Sequence, residues 1–137
     1  MTTTTLTKTP RTLIAAATSN AASATTEGTP VDLRTKQGGI LTAKITNGAT
    51  GPAIQATIQV LIAHNSGATP TGAAEGADWK LIYEIGGGTT ANGITRIRGL
   101  PIVKDVMHLH VRVTGNTGQA VTCEAFLSET TDAQSVA

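Results

Sequence analysis

The sequence predicts an all-β protein: an antiparallel β-sandwich, jelly-roll or immunoglobulin-like, with an extended N-terminal arm. Three observations carry that expectation. Apolar residues recur at every second position in several segments, the period of a strand with one buried face. Clusters of Gly, Pro, Asn and Thr punctuate these segments at short intervals. No stretch of ten residues carries a convincing apolar stripe at helical spacing.

The elements follow in order. Residues 1–11, MTTTTLTKTPR, lack an apolar period and are interrupted by Pro10. They read as a flexible arm that is frayed or orders against a partner subunit. The domain proper is expected over 12–128 and a polar tail over 129–137. The first strand falls near Arg11–Thr18. A helix across Ala15–Ala24 competes on alanine propensity, opposed by Thr18, Ser19, Asn20, Thr25 and Thr26. Gly28-Thr29-Pro30 turns the chain, Val31–Leu33 is a short strand, and Ile40–Thr46 follows Gly38-Gly39. Asn47-Gly48 and Gly51-Pro52 bracket a connection.

Ala53–His64 is the strongest strand. Ile54, Ala56, Ile58, Val60 and Ile62 lie on one face, and Gln55, Thr57 and Gln59 on the other. A helix would scatter those isoleucines around its surface. Asn65–Asp78, NSGATPTGAAEGAD, is a long loop without a bulky apolar side chain, and long loops often make contacts. Trp79–Ile85 places Trp79, Leu81, Tyr83 and Ile85 together, and Gly86-Gly87-Gly88 ends it. Ile94–Leu100 sets Arg96 and Arg98 side by side before Pro101. Lys104–Val113 turns Met107, Leu109, Val111 and Val113 one way and His108, His110 and Arg112 the other. After the Thr114–Gly118 hairpin loop, Gln119–Leu127 aligns Val121, Cys123, Ala125 and Leu127. Seven or eight strands in two facing sheets account for the pattern.

Composition removes several function classes. Ten Lys and Arg against nine Asp and Glu leave a formal charge of +1, which gives little long-range steering toward nucleic acid. One Trp, one Tyr and one Phe are too few for a set of base-stacking platforms. A single cysteine rules out a disulfide-stapled module. No run approaches the 18 or so apolar residues of a membrane helix, and Leu13–Ala17 is too short for a signal-peptide core. The 26 threonines and 20 alanines make up a third of the 137 residues, a composition suited to strands, loops and an arm.

Few residues suggest chemistry. His108 and His110 stand at i and i+2, the same face of one strand. With His64, Glu84 or Glu124 they would need a third ligand to hold a metal, and no spacing supplies it. They read instead as residues of a solvated or subunit-facing surface, with pH sensitivity as a secondary reading. Gly86-Gly87-Gly88 lacks the lysine and spacing of a phosphate loop. No serine sits in a GxSxG context, and Asp78, Glu84, Asp105 and Glu124 form no recognisable pair. Cys123 sits in an alternating strand as a small buried hydrophobe. The expectation is a non-enzyme without metal or cofactor.

The segments IQATIQVLIAHNSG, DWKLIYEIGGG and HLHVRVTGNTGQAVTCEAFLSE, with the threonine-rich start and the Ala/Thr/Gly bias, resemble the capsid decoration (cement) proteins of tailed bacteriophages. The likeness spans Ala53–Leu127 as overall texture, without a short diagnostic motif. It implies a jelly-roll or immunoglobulin-like domain on the outer surface of the virion shell, made in the host cytoplasm. It also implies a terminal arm laced across neighbouring capsomers, the major capsid protein lattice as partner, and self-association as a dimer or trimer. Direct nucleic-acid or membrane binding is not expected. The expected contact residues are Thr3, Thr5, Leu6, Lys8 and Arg11 in the arm, Asn65 and Thr69 in the loop, and Trp79, His108 and His110 on the sheet. Two other readings stand beside this one. One is a phage tail, neck or fibre-attachment component. The other is a carbohydrate-binding module, which requires an exposed Trp79.

Overall fold

The computed structural model describes residues 2–64 and 79–136. Its described residues form nine strands and no helix. They are β1 (Thr2–Asn20), β2 (Thr25–Glu27), β3 (Val31–Asp32), β4 (Gly39–Asn47), β5 (Thr57–Ala63), β6 (Lys80–Gly86), β7 (Ile94–Ile102), β8 (His108–Thr114) and β9 (Val121–Val136). All pairings are antiparallel.

Sheet order decides the topology that the sequence left open. One sheet runs β1-β9-β4-β7 and the other β2-β8-β5-β6, with β3 also on β8. Because β2 and β3 lie on the same neighbour, they act as one interrupted strand, which leaves eight. The first and last strands are then adjacent, and the chain changes sheet at every connection except β5 to β6. That is the two-Greek-key order of a jelly roll. An immunoglobulin-like sandwich would pair the first two strands in one sheet, whereas here β1 and β2 lie in different sheets.

The core lies between the two sheets. Leu41, Ala43 and Ile45 of β4, Ile58 and Val60 of β5, Leu109, Val111 and Val113 of β8, and Val121, Cys123, Ala125 and Leu127 of β9 are all buried in one cluster. The period-2 expectation for these strands therefore fixes their inward faces. Ile54 is an exception. β5 begins only at Thr57, and Ile54 makes only an isolated bridge to Thr117 and is exposed.

β6 departs from simple alternation. Leu81 pairs with Leu61 and Tyr83 with Val60, which leaves Ile82 as an extra residue. This bulge breaks the expected Trp79-Leu81-Tyr83-Ile85 face. Trp79 packs with Leu61, Ala63 and Leu81 in a second cluster, while Ile85 joins the main core.

Three buried asparagines close one end of the sandwich, where Asn20 and Asn47 both lie opposite Val121. Asn116 Nδ2 donates to the carbonyls of Asn20 (3.2 Å), Ala21 (3.3 Å) and Gln119 (2.9 Å). Its Oδ1 accepts from Asn20 Nδ2 at 2.5 Å. Asn20 also donates to the Ala24 carbonyl and accepts from Thr26 Oγ1. At another connection, Asn47 Nδ2 donates to the carbonyls of Gly87, Gly88 and Thr90. An amide offers two donors and an acceptor at one point, which suits it to loop groups that no ladder satisfies.

The ends of the chain differ most from sequence expectation. Residues 2–11 belong to β1, paired without interruption from Thr2↔Val136 to Arg11↔Leu127. The stretch 129–136 belongs to β9. The competing helix over Ala15–Ala24 is absent. β1 continues to Asn20 with register shifts near Ile14 and a positive φ of 57° at Ala17.

Candidate functional site

β4 pairs with β9 only as far as Gly39↔Glu129. Past that point β1 and β9 continue as a two-stranded ribbon from Lys8↔Thr130 to Thr2↔Val136. Its strands read TTTTLTK and TTDAQSV. β-Branched threonine favours the extended backbone without needing an apolar core. Thr3, Thr5, Leu6 and Lys8 are exposed on this ribbon, Leu6 at 64 %.

A charged cluster holds the root. Glu129 is only 1 % exposed, yet its Oε1 accepts from Arg11 Nε at 2.9 Å and Nη2 at 2.8 Å, with Lys36 Nζ at 3.5 Å. The carboxylate raises the Arg11 guanidinium above its ordinary pKa through the hydrogen bond first and charge second. Glu129 Oε2 is buried without a hydrogen-bond partner. The chain is fastened alongside by Gln37 N–H on the Thr130 carbonyl (2.7 Å) and Thr130 N–H on the Gly38 carbonyl (2.9 Å). An open cleft of about 490 Å³ lies here, lined by Pro10, Arg11, Thr12, Thr29, Pro30, Val31, Asp32 and Glu129. Hydrogen bonds from Arg34 hold the Asp32 carboxyl down to about 2.

The sequence signal for Glu129 was present but unread. It extends the inward set Val121, Cys123, Ala125 and Leu127 by one step, so alternation alone places it inside. Its acidic side chain and the polar residues after it had assigned it to a tail.

The expected sheet contacts fare differently. Trp79 is 1 % exposed, and His108 and His110 are fully buried, so a solvated histidine face is corrected. Alternation identifies which face a residue takes, not whether that face is covered. His110 Nε2 lies 2.7 Å from Glu27 Oε2, and its ring centroid is 5.5 Å from that of Trp79. Both ring nitrogens of His108 lack a hydrogen-bond partner among the described residues. A buried Trp79 also removes the feature on which the carbohydrate reading depended. Asn65 and Thr69 lie outside the described residues.

The structure thus brings Thr3, Thr5, Leu6, Lys8 and Arg11 onto one element. Trp79 and His110 meet in a separate packed cluster on the other sheet. Among the described residues, no three His, Cys, Asp or Glu side chains are placed to hold a metal ion. Burial pushes the Cys123 thiol up to about 11, which keeps it protonated and unreactive at neutral pH.

Neither a scan against protein-family models nor a search of curated proteins finds a match. Among solved structures, the chain is similar to the SPBc2 prophage-derived protein YomS. The identity is 17 %, over 90 % of this chain and 95 % of that one, with a TM-score of 0.43. A likeness at this level assigns no role.

Proposed function

We propose that the chain is a structural virion protein that binds and stabilises the outer surface of a bacteriophage capsid. The observation that carries this reading is the terminal ribbon. A two-stranded ribbon is marginal in water unless a third strand or another surface covers it. This one has a single large apolar residue in its β1 half, Leu6, and no further strand beside it among the described residues. Docking on a neighbouring protein would supply the missing contacts. Many copies on a repeating lattice would then hold firmly even if each contact were modest. The major capsid protein is the proposed partner, with self-association as a dimer or trimer on the shell. The sequence resemblance to decoration proteins supports the same reading, as does a jelly-roll body whose site residues suggest contact rather than catalysis.

Deleting residues 2–8 tests it while leaving Arg11 and the root cluster in place. The truncated chain is expected to keep its β-rich circular dichroism spectrum and to lose most co-sedimentation with capsid shells assembled without this protein. Full binding by the truncated chain would overturn the role of the ribbon. Electron microscopy showing the chain confined to tail or neck would favour the other phage reading.

A further inference from the structure

The ribbon lies in the same sheet as β4 and β7, and its register defines one continuous outer face. Leu41, Ala43 and Ile45 point into the core, so Ile40, Thr42, Lys44 and Thr46 point outward. Cross-strand pairing carries that parity across the sheet. Pro10, Ser128, Ile40 and Pro101 form one row, and Glu124, Lys44 and Arg96 another. Stepping by two along β1 from Pro10 adds Lys8 and Leu6 to the same face. Ile40 is 45 % exposed and Ile94 54 %.

Charge on this face is unevenly satisfied. Lys44 Nζ pairs with Glu124 Oε1 at 3.0 Å. Arg96 and Arg98 are exposed and make no ion pair with any described residue. Both line a shallow depression of about 510 Å³ with Thr42, Lys44 and Glu124, opened where β7 bulges against β4. The outer face of the other sheet is arranged differently. There Arg112 Nε donates to Gln59 Oε1 at 2.6 Å, and Gln59 Nε2 donates to Glu84 Oε2 at 2.7 Å. Glu27 is held against His110. Those polar groups bond to one another, whereas the two arginines are left for a partner.

The size is adequate. Four strands about 4.8 Å apart and about 30 Å long, with a ribbon about 24 Å long, present roughly 800 Å². That is about what each partner contributes to a standard stable protein interface.

We infer that the outer face of the β1-β9-β4-β7 sheet is the docking face. Its occupant is a protein surface that sets carboxylates against Arg96 and Arg98 and apolar groups against Pro10, Ile40 and Pro101. This rests on the decoration reading and names the face that reading leaves open. A protein fits better than nucleic acid, because the arginines adjoin an apolar row, and the one aromatic on this face, Phe126, is half-buried and offers no series of stacking platforms.

The test compares co-sedimentation of the full chain and its variants with capsid shells assembled without it. R96E/R98E is expected to bind at least about ten-fold more weakly, since reversed charges would face the partner's carboxylates. R96K/R98K is expected to keep most binding, and E84K on the opposite sheet to bind as the unaltered chain does. Circular dichroism confirms that each variant is folded. If the unaltered chain fails to bind shells, the decoration reading falls and takes this inference with it. If it binds and R96E/R98E binds equally well, the face assignment alone is overturned. Retention of the unaltered chain on DNA-cellulose with none on shells would replace the protein partner by nucleic acid and also overturn it.

Discussion

Replacing Asn116 by alanine removes four hydrogen bonds at one point. Three are donated by Nδ2 to main-chain carbonyls, and one is accepted from Asn20 by Oδ1. Each is worth about 1 kcal/mol net. Two of the three donor contacts are long, at 3.2 and 3.3 Å, and share one amide group, so the full sum overstates the loss. The expected destabilisation is about 2–3 kcal/mol, a large part of the 5–15 kcal/mol typical of a domain. Asn20→Ala loses the shared bond together with those to Ala24 and Thr26, for a cost of about 2–3 kcal/mol as well. The shared bond is counted in both single variants. The double variant should therefore be less destabilised than their sum by about 1 kcal/mol. Urea unfolding followed by the fluorescence of Trp79, the only tryptophan, measures all four corners of the cycle. For a slope of about 1–3 kcal/mol per molar, the single variants move the midpoint by about 0.7–3 M at unchanged slope. Additivity within about 0.3 kcal/mol, or a cost below about 1 kcal/mol for Asn116→Ala, would refute the reasoning.

Two glycine substitutions should separate backbone strain from overlap. Gly38 has φ +76° and its added Cβ would collide with the Ile102 carbonyl, whereas Gly88 has φ +71° and open space around it. Gly88→Ala should cost about 1 kcal/mol and Gly38→Ala clearly more, about 2 kcal/mol or above, by the same urea titration. Cys123 should react with a thiol reagent at pH 8 only after unfolding; rapid modification of the folded chain would contradict its burial. Its thiol lies near 11 against an ordinary 9.0. The associated stability is therefore full below pH 9 and falls as pH rises toward 11, because the unfolded chain ionises first. Asp32 has the opposite sign. Held down to about 2 by Arg34, its contribution is present above the ordinary carboxylate range and is lost as pH falls toward 2. Arg34→Gln should return the Asp32 titration toward that range, read by NMR.

The central strands were legible because burial on one face writes period 2 into the sequence. Leu109-x-Val111-x-Val113 and Val121-x-Cys123-x-Ala125-x-Leu127 needed no partner to be recognised. The outer part of β1 carries no such record. Thr3, Thr4, Thr5 and Thr7 are exposed, and its strand state depends on a register with β9 more than a hundred residues away. The bulge at Ile82 escaped for a related reason, since one extra residue in β6 shows only against the pairing with β5. Asn47 and Asn116 fall in expected turns, the usual signal of asparagine, whereas Asn20 counts in the sequence only against a helix. Their buried hydrogen bonding depends on carbonyls contributed by distant loops. The candidate site was legible only in part. Leu6, Lys8 and Arg11 were expected in an arm, but their anchor Glu129 was read as tail.

The jelly-roll order explains why the ribbon contains both termini. The first and last strands are antiparallel neighbours, so the start of β1 always meets the end of β9. Lengthening both ends adds pairs beyond β4 without altering the facing sheets, and the two halves supply each other's backbone hydrogen bonds. A single-stranded arm would lose that conformational entropy on docking, whereas a paired ribbon has already given up part of it. Threonine suits this element because it favours extension while presenting no large apolar patch to water. The buried Glu129, held by Arg11 from β1 and by Lys36, locks the two ends together at the point where β4 stops. The ribbon's direction is therefore fixed by the sandwich, and the face of Leu6 and Lys8 is fixed to that of Ile40 and Arg96. Contacts made by Leu6 and Lys8 would therefore fall on the same side of the molecule as those made by Ile40 and Arg96, while Thr3 and Thr5 face the other way.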